Sequence, residues 1–195
     1  SEKSVDQAQK RFPENDVEIY RMDLEALDFD DDSFDLVTIA NSLHHIEHLD
    51  RVFAELLRVL KPGGRLLVQE MYRDGEQTEP QITHIMMHHW LASIDRRFGV
   101  YHQETYTREQ IQAIFAKLGL NQVEQVDFYL PVDNPKAASN CENLKRNCVE
   151  TFKRLERLTD AEELLDEGKR LVERINSVGC AGACSLLLSG IKKNV

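Results

Sequence analysis

At 195 residues, with 42% hydrophobic and 30% charged side chains, the chain has the make-up of one globular domain able to bury a sizeable core. A formal net charge of −10 argues against a nucleic-acid backbone as the main partner and serves solubility instead. No stretch approaches the roughly 18 apolar residues of a membrane span, and the start carries no signal-peptide pattern. No membrane contact is therefore expected, and the cytoplasm is the predicted compartment.

In chain order, Ser1 is placed to cap a helix with Val5, Ala8 and Phe12 on one face, stopped by Pro13. Residues 17–22 alternate enough for a strand that ends at Asp23-Leu24. The aspartates between Leu27 and Asp35 lack the glycine and terminal glutamate of a calcium loop and read as a solvated turn. Phe34-Asp35-Leu36-Val37-Thr38-Ile39-Ala40 is short and rich in branched residues, as in a strand buried on both faces of a parallel sheet. Asn41-Ser42-Leu43-His44-His45-Ile46 follows. Asp50 then caps a helix with the stripe Val52, Phe53, Leu56, Leu57 and Leu60. Pro62 ends that helix, Gly63-Gly64 supplies a turn, and residues 65–70 form the next strand. Strand, helix and strand make one right-handed βαβ crossover. Ligands of open α/β sheets collect beyond the carboxyl ends of the strands, where Asn41 to His45 and Glu70 fall.

Past Glu70, a loop leads to an irregular helix carrying Ile82, Ile85, Met86, Leu91 and Ile94, ending near Phe98. His84 and His88 stand at i,i+4 on it, with Asp95 near the same face. No glutamate follows His84 as in a zinc protease, so no metal is expected there. Thr107-Arg108-Glu109-Gln110 is a capping box for a helix lined by Ile111, Ile114, Phe115 and Leu118. A strand over 123–130 ends at Pro131. A helical hairpin over about 137–178 follows, its first helix striped by Cys141, Leu144, Cys148, Phe152 and Leu155. Thr159-Asp160-Ala161-Glu162 caps its second helix, which turns Leu164, Leu165, Leu171, Val172 and Ile175 inward. A final strand covers 185–191. The four cysteines (Cys141, Cys148, Cys180, Cys184) are expected to be reduced and buried, not disulfide-bonded or metal-bound.

Phe34-Asp35-Leu36-Val37 with Asn41-Ser42-Leu43-His44-His45-Ile46, then Arg58-Val59-Leu60-Lys61-Pro62-Gly63-Gly64, resembles the fourth-to-fifth-strand region of class I S-adenosylmethionine-dependent methyltransferases. The group acting on small molecules (type 11-like) is the most similar. The resemblance covers Ser1 to about Leu130 and resumes at the final strand; the helical hairpin inserted before that strand is less typical of the family. The resemblance implies an α/β, Rossmann-like sheet with flanking helices and an antiparallel last strand. It implies S-adenosylmethionine as cofactor, with Asp23 receiving the adenine amino group and Leu24 beside the adenine ring. Asn41 and Ser42 would line the cofactor cleft. The family's opening glycine-rich loop has no counterpart, because the first glycine is Gly63 and no Gly-x-Gly occurs. The chain thus reads as a methyltransferase domain lacking its N-terminal strand–helix–strand unit, on the order of 30 residues.

The expected function is methyl transfer to a small-molecule acceptor, since the residues after the strand are not the Asn/Asp-Pro-Pro-Tyr/Phe signature of enzymes acting on amide or base nitrogens. His44 and His45 are the catalytic candidates because imidazole titrates near neutral pH. Glu70, His88 and His89 are candidates for contact with the acceptor. For the hairpin, a lid, a dimer surface and packing on the sheet edge all stay open, so a homodimer is among the assemblies expected. An inactive, truncated fragment serving as an interaction module is the alternative.

Overall fold

A computed structural model describes residues 2–12 and 17–194, with side chains from residue 5. The expected cap at Ser1 and stop at Pro13 lie outside the described residues. A first helix, α1 (Glu2–Arg11), precedes a four-stranded mixed sheet of β1 (Phe34–Ala40), β2 (Leu60–Met71), β3 (Asn121–Phe128) and β4 (Ser185–Ile191). The strand order is β1-β2-β4-β3. β1 and β2 run parallel, whereas β4 is antiparallel to both its neighbours. This is the α/β architecture that the alternation of branched runs and amphipathic stripes predicts.

Helix α2 (Leu49–Val59) connects β1 to β2 and buries Val52, Phe53, Leu56 and Val59. Val52, Phe53 and Leu56 meet Ile39, Leu66, Val68, Leu186 and Leu188 in the main core, which Ile111 and Phe115 of α4 (Arg108–Ala116) complete. The capping box at Thr107 is formed, with Gln110 returning the bond. Two boundaries differ from expectation. His48, not Asp50, occupies the α2 N-cap, and Asp50 sits in the first turn where its charge favours the helix dipole. Leu60 leaves the helix with extended torsions (φ −78°, ψ 131°) and already belongs to β2. Lys61-Pro62-Gly63-Gly64 is accordingly a bulge near the head of the strand: pairing jumps from Phe34↔Leu60 to Leu36↔Arg65. Gly63 takes φ +77°, and a Cβ on Gly64 would lie 2.7 Å from Leu60 Cδ1 and 2.8 Å from the Lys61 carbonyl oxygen. The bulge needs both glycines.

The strand expected over 17–22 is absent. An isolated strand leaves its backbone groups unpaired, and no described strand lies beside this one. Val17 and Tyr20 stay exposed. β3 is an edge strand, starting and ending two residues earlier than predicted.

A second core forms away from the sheet. Helix α3 (Glu79–Arg97) is regular, not irregular as predicted, and begins at a capping box made by Thr78 and Gln81. One side turns Ile85 to Met71 and Ala183. Another turns Met87, Trp90 and Ile94 to the hairpin of α5 (Ala138–Leu155) and α6 (Glu162–Ser177), where Cys148, Leu155, Leu171 and Ile175 receive them. The hairpin therefore packs on α3, not on the sheet edge. The α6 N-cap is Ala161, with no side-chain cap, so the expected Thr159 box is not formed.

The cysteines correct a further expectation. Cys141 and Cys180 form a disulfide with Cα atoms 5.4 Å apart, while Cys148 and Cys184 are free and buried. Antiparallel helices bring the first turn of α5 beside the residues just past α6, a closeness that helix-stripe counting does not reveal. The bridge closes a loop with a sequence separation of 39 residues. Its loss is expected to destabilise the hairpin by about 2–4 kcal/mol. Alkylation of the denatured chain without reductant, read by mass, should label two of the four cysteines, and all four after reduction. Labelling of all four without reductant would refute the bridge.

Candidate active site

β1 ends where Asn41 enters the left-handed region at φ +47°, a conformation asparagine tolerates better than most residues. Its N–H donates to the Gln69 carbonyl at 2.8 Å, the last tie to β2. Ser42 Oγ donates to the Ala40 carbonyl at 2.8 Å, and the chain turns into one 3-10 turn, Leu43–His45. Leu43, 1% exposed, is held in the main core. That anchor sends His44 inward to 0% exposure and leaves His45 at the surface.

Glu70, at the end of β2, is also fully buried. Its Oε2 accepts the Leu43 N–H at 2.7 Å, and its Oε1 accepts the Met71 N–H at 3.1 Å. Oε1 also lies 3.1 Å from His44 Nδ1. Both oxygens are thus committed to the protein. A carboxylate accepting two backbone N–H groups acts as an acceptor, so His44 donates from Nδ1 and its Nε2 carries a lone pair. That Nε2 is buried without a partner.

The loop after α3 repeats this arrangement. Gln103 N–H donates to the His44 carbonyl at 2.8 Å, which brings His102 alongside. His102, 3% exposed, places Nδ1 2.7 Å from Asp95 Oδ2, and its Nε2 is likewise buried and unpartnered. Arg154 of α5 donates to the other Asp95 oxygen at 2.5 Å. Burial pulls the Asp95 carboxyl upward, but the hydrogen bonds from His102 and Arg154 outweigh it and lower the pKa. Ring centroids lie 4.3 Å apart for His44–His45, 4.0 Å for His45–His102 and 5.4 Å for His44–His88. Burial, then the charges of His102 and His44, push His45 down to about 4. Burial, then His84 and the other imidazoles, push His88 down to about 2. Both rings are therefore neutral near pH 7.

The other candidates fall at several places. His84 and His88 share a face of α3 as predicted, with ring centroids 4.8 Å apart, yet His84 Nδ1 is occupied by the Ala183 N–H at 3.1 Å. His89 Nε2 lies 2.9 Å from Thr105 Oγ1. Asp23 and Leu24 occupy an exposed turn, where Asp23 Oδ1 accepts the Glu25 N–H at 2.9 Å and Leu24 is 41% exposed. Glu55 Oε2 of α2 accepts the Leu27 N–H at 3.0 Å, and Arg58 donates to the Leu27 carbonyl at 2.9 Å, which fixes that loop to α2. Sequence reasoning missed His102, whose membership depends on a tertiary hydrogen bond. Next to the cluster, Arg73, Arg96, Tyr101, Gln103, Glu104, Tyr106 and Gln110 line a cleft of about 460 Å³.

Comparison with known proteins places these observations. Residues 1–68 match a family described as a methyltransferase domain. Within that stretch lie Asp23, Leu24, Asn41, Ser42, His44 and His45; Glu70, His88, His89 and His102 lie beyond it. The chain is 48% identical over 59 residues to the ubiquinone/menaquinone biosynthesis C-methyltransferase UbiE of Ectopseudomonas mendocina (strain ymp), covering 30% of this chain and 23% of the relative. It spans less than a quarter of the length of the curated relatives it matches. Among solved structures, the YcgJ protein from Bacillus subtilis superposes over 100% of this chain and 80% of its own, with TM-score 0.55 and 21% identity. The [4+2]-cyclase SpnF superposes over 97% of this chain and 61% of its own, with TM-score 0.52 and 18% identity. The fold is that of the Rossmann-like methyltransferases, and SpnF illustrates that this fold alone does not dictate a reaction.

Proposed function

We propose that this protein, whose first 68 residues match a methyltransferase domain, transfers a methyl group from S-adenosylmethionine to a small-molecule acceptor. One observation carries the reading. Asn41, Ser42, His44 and His45 stand beyond the carboxyl ends of two adjacent parallel strands, and they lie inside the matched stretch.

The residues present suit the cofactor. Asp23 offers an exposed carboxylate to an adenine amino group, and the neighbouring exposed Leu24 offers an apolar surface to a ring face. Asn41 and Ser42, at the turn after β1, would border the cleft. S-adenosylmethionine supplies a methyl group already activated on a sulfonium, so the protein needs chiefly to align the acceptor and exclude water. His44 and His45 are assigned to the reacting end, with the exposed His45 the one an acceptor reaches. Glu70 acts through His44: its oxygens hold that ring, and it does not meet the acceptor directly. His88 and His89 wall the same region from α3. The chain covers only 23% of UbiE, so that protein's acceptor is not carried over to this chain.

Calorimetric titration of the purified chain with S-adenosylmethionine tests the reading. Saturable binding is expected, weakened about tenfold by Asp23→Ala, the equivalent of one hydrogen bond to a ligand. A chain that melts cooperatively yet takes up no cofactor would overturn catalysis for it.

A further inference from the structure

Four imidazoles converge beyond β2, and the methyl-transfer reading gives no part to His102 and no partner to the buried Nε2 atoms of His44 and His102. One ring nitrogen from each of His44, His45 and His102 lies within 4.8 Å of the others. No other group of three metal-ligating side chains is found among the described residues. We propose that these three histidines bind a divalent transition-metal cation of the zinc class.

The tautomers point to this. Glu70 behind His44 and Asp95 behind His102 each fix the Nδ1 proton, leaving Nε2 as a bare lone pair on both rings. Both Nε2 atoms are buried with no donor in reach, on side chains 0% and 3% exposed. Buried polar atoms ordinarily find partners; His88 Nδ1 is a third unpartnered nitrogen beside these rings, and the two on His44 and His102 call for a shared partner. Water could serve a single lone pair, but three convergent imidazole nitrogens form a donor set suited to a borderline-soft cation. A carboxylate accepting the other ring proton is the usual outer support of a metal-bound histidine, because it orients the ring and raises its basicity. Here two of the three ligands have that support, each anchored in turn: Glu70 by two backbone N–H groups and Asp95 by Arg154.

The geometry is close to closed. Tetrahedral zinc with bonds of about 2.0–2.1 Å sets its nitrogens about 3.3 Å apart. The present separations therefore need a contraction of about 1.5 Å at most, shared between the exposed His45 ring and the buried pair, whose ring centroids lie 5.5 Å apart. Carboxylates orient the buried pair. Three protein ligands leave a position for water or a heteroatom of a bound molecule, the pattern of an open site.

The test needs neither S-adenosylmethionine nor an acceptor, so it stands apart from the outcome for methyl transfer. The untagged chain is stripped with chelator, titrated with Zn²⁺ by calorimetry, and loaded with Co²⁺ to read the visible absorption of a tetrahedral ion. The expected result is one ion per chain. His45→Gln and His102→Gln should each lower affinity at least about tenfold and bleach the cobalt bands. His48→Gln, at an exposed position three residues away, should change neither. His102→Gln disturbs a buried residue, so the exposed His45→Gln decides the matter if that variant fails to fold. A folded chain that takes up no ion would overturn the proposal, as would uptake undiminished in His45→Gln.

Discussion

Glu70→Ala is expected to destabilise the protein by about 3–5 kcal/mol, read as a lowered midpoint in urea with an unchanged slope. The side chain is fully buried, and its loss strands the Leu43 and Met71 N–H groups together with the His44 Nδ1 proton. Each buried donor left unmade costs about 1–3 kcal/mol, and the carboxylate they lose is 0% exposed. Glu70→Gln should cost less, because one amide oxygen still accepts. Its NH₂ would nevertheless face either the Leu43 N–H or the Met71 N–H together with the His44 ring. A Glu70→Ala variant as stable as the parent would mean that the carboxylate does not hold the 3-10 turn in solution. The position of His44 would then need another cause.

The βαβ unit was legible because three independent signals coincide. Branched runs mark β1 and β2, the stripe Val52, Phe53, Leu56 marks α2, and Lys-Pro-Gly-Gly marks the junction. The same turn chemistry misplaced the junction, since Pro62 and the two glycines suit a bulge within a strand as well as a loop before one. Residues 17–22 alternate correctly, but alternation describes what a strand can bury, not whether a neighbour exists to pair with it. The site divides in the same way. Asn41 to His45 follow from strand order alone. His102 and its tie to Asp95 arise from a loop docking on the His44 carbonyl, and no spacing rule encodes that contact. The disulfide is tertiary in the same sense: Cys141 and Cys180 meet only because α5 and α6 run antiparallel.

Trp90→Ala should destabilise by about 3–5 kcal/mol, chiefly by loosening α3 from the hairpin. Trp90 is 0% exposed, donates its indole N–H to the Leu164 carbonyl at 2.8 Å, and packs on Phe152 with ring centroids 5.5 Å apart. Its close partner on α6 is Gly168, where an added Cβ would stand 2.4 Å from Trp90 Cζ2 and 2.8 Å from Phe152 Cε1. An ordinary glycine inside a helix gains about 1 kcal/mol on becoming alanine. Gly168→Ala should instead lose about 1–3 kcal/mol, because the aromatic pair must shift to admit the methyl. In the Trp90→Ala background the same methyl enters vacated space, so the double variant should be more stable than the sum of the singles implies. Strict additivity in thermal melts would show that Trp90 and Gly168 do not press on one another. The outcome bears on the site, since α3 also carries His88, His89 and Asp95. A hairpin clamped through Trp90, and through the Arg154–Asp95 pair, fixes the helix that backs His102. The hairpin is then a structural support for the histidine cluster.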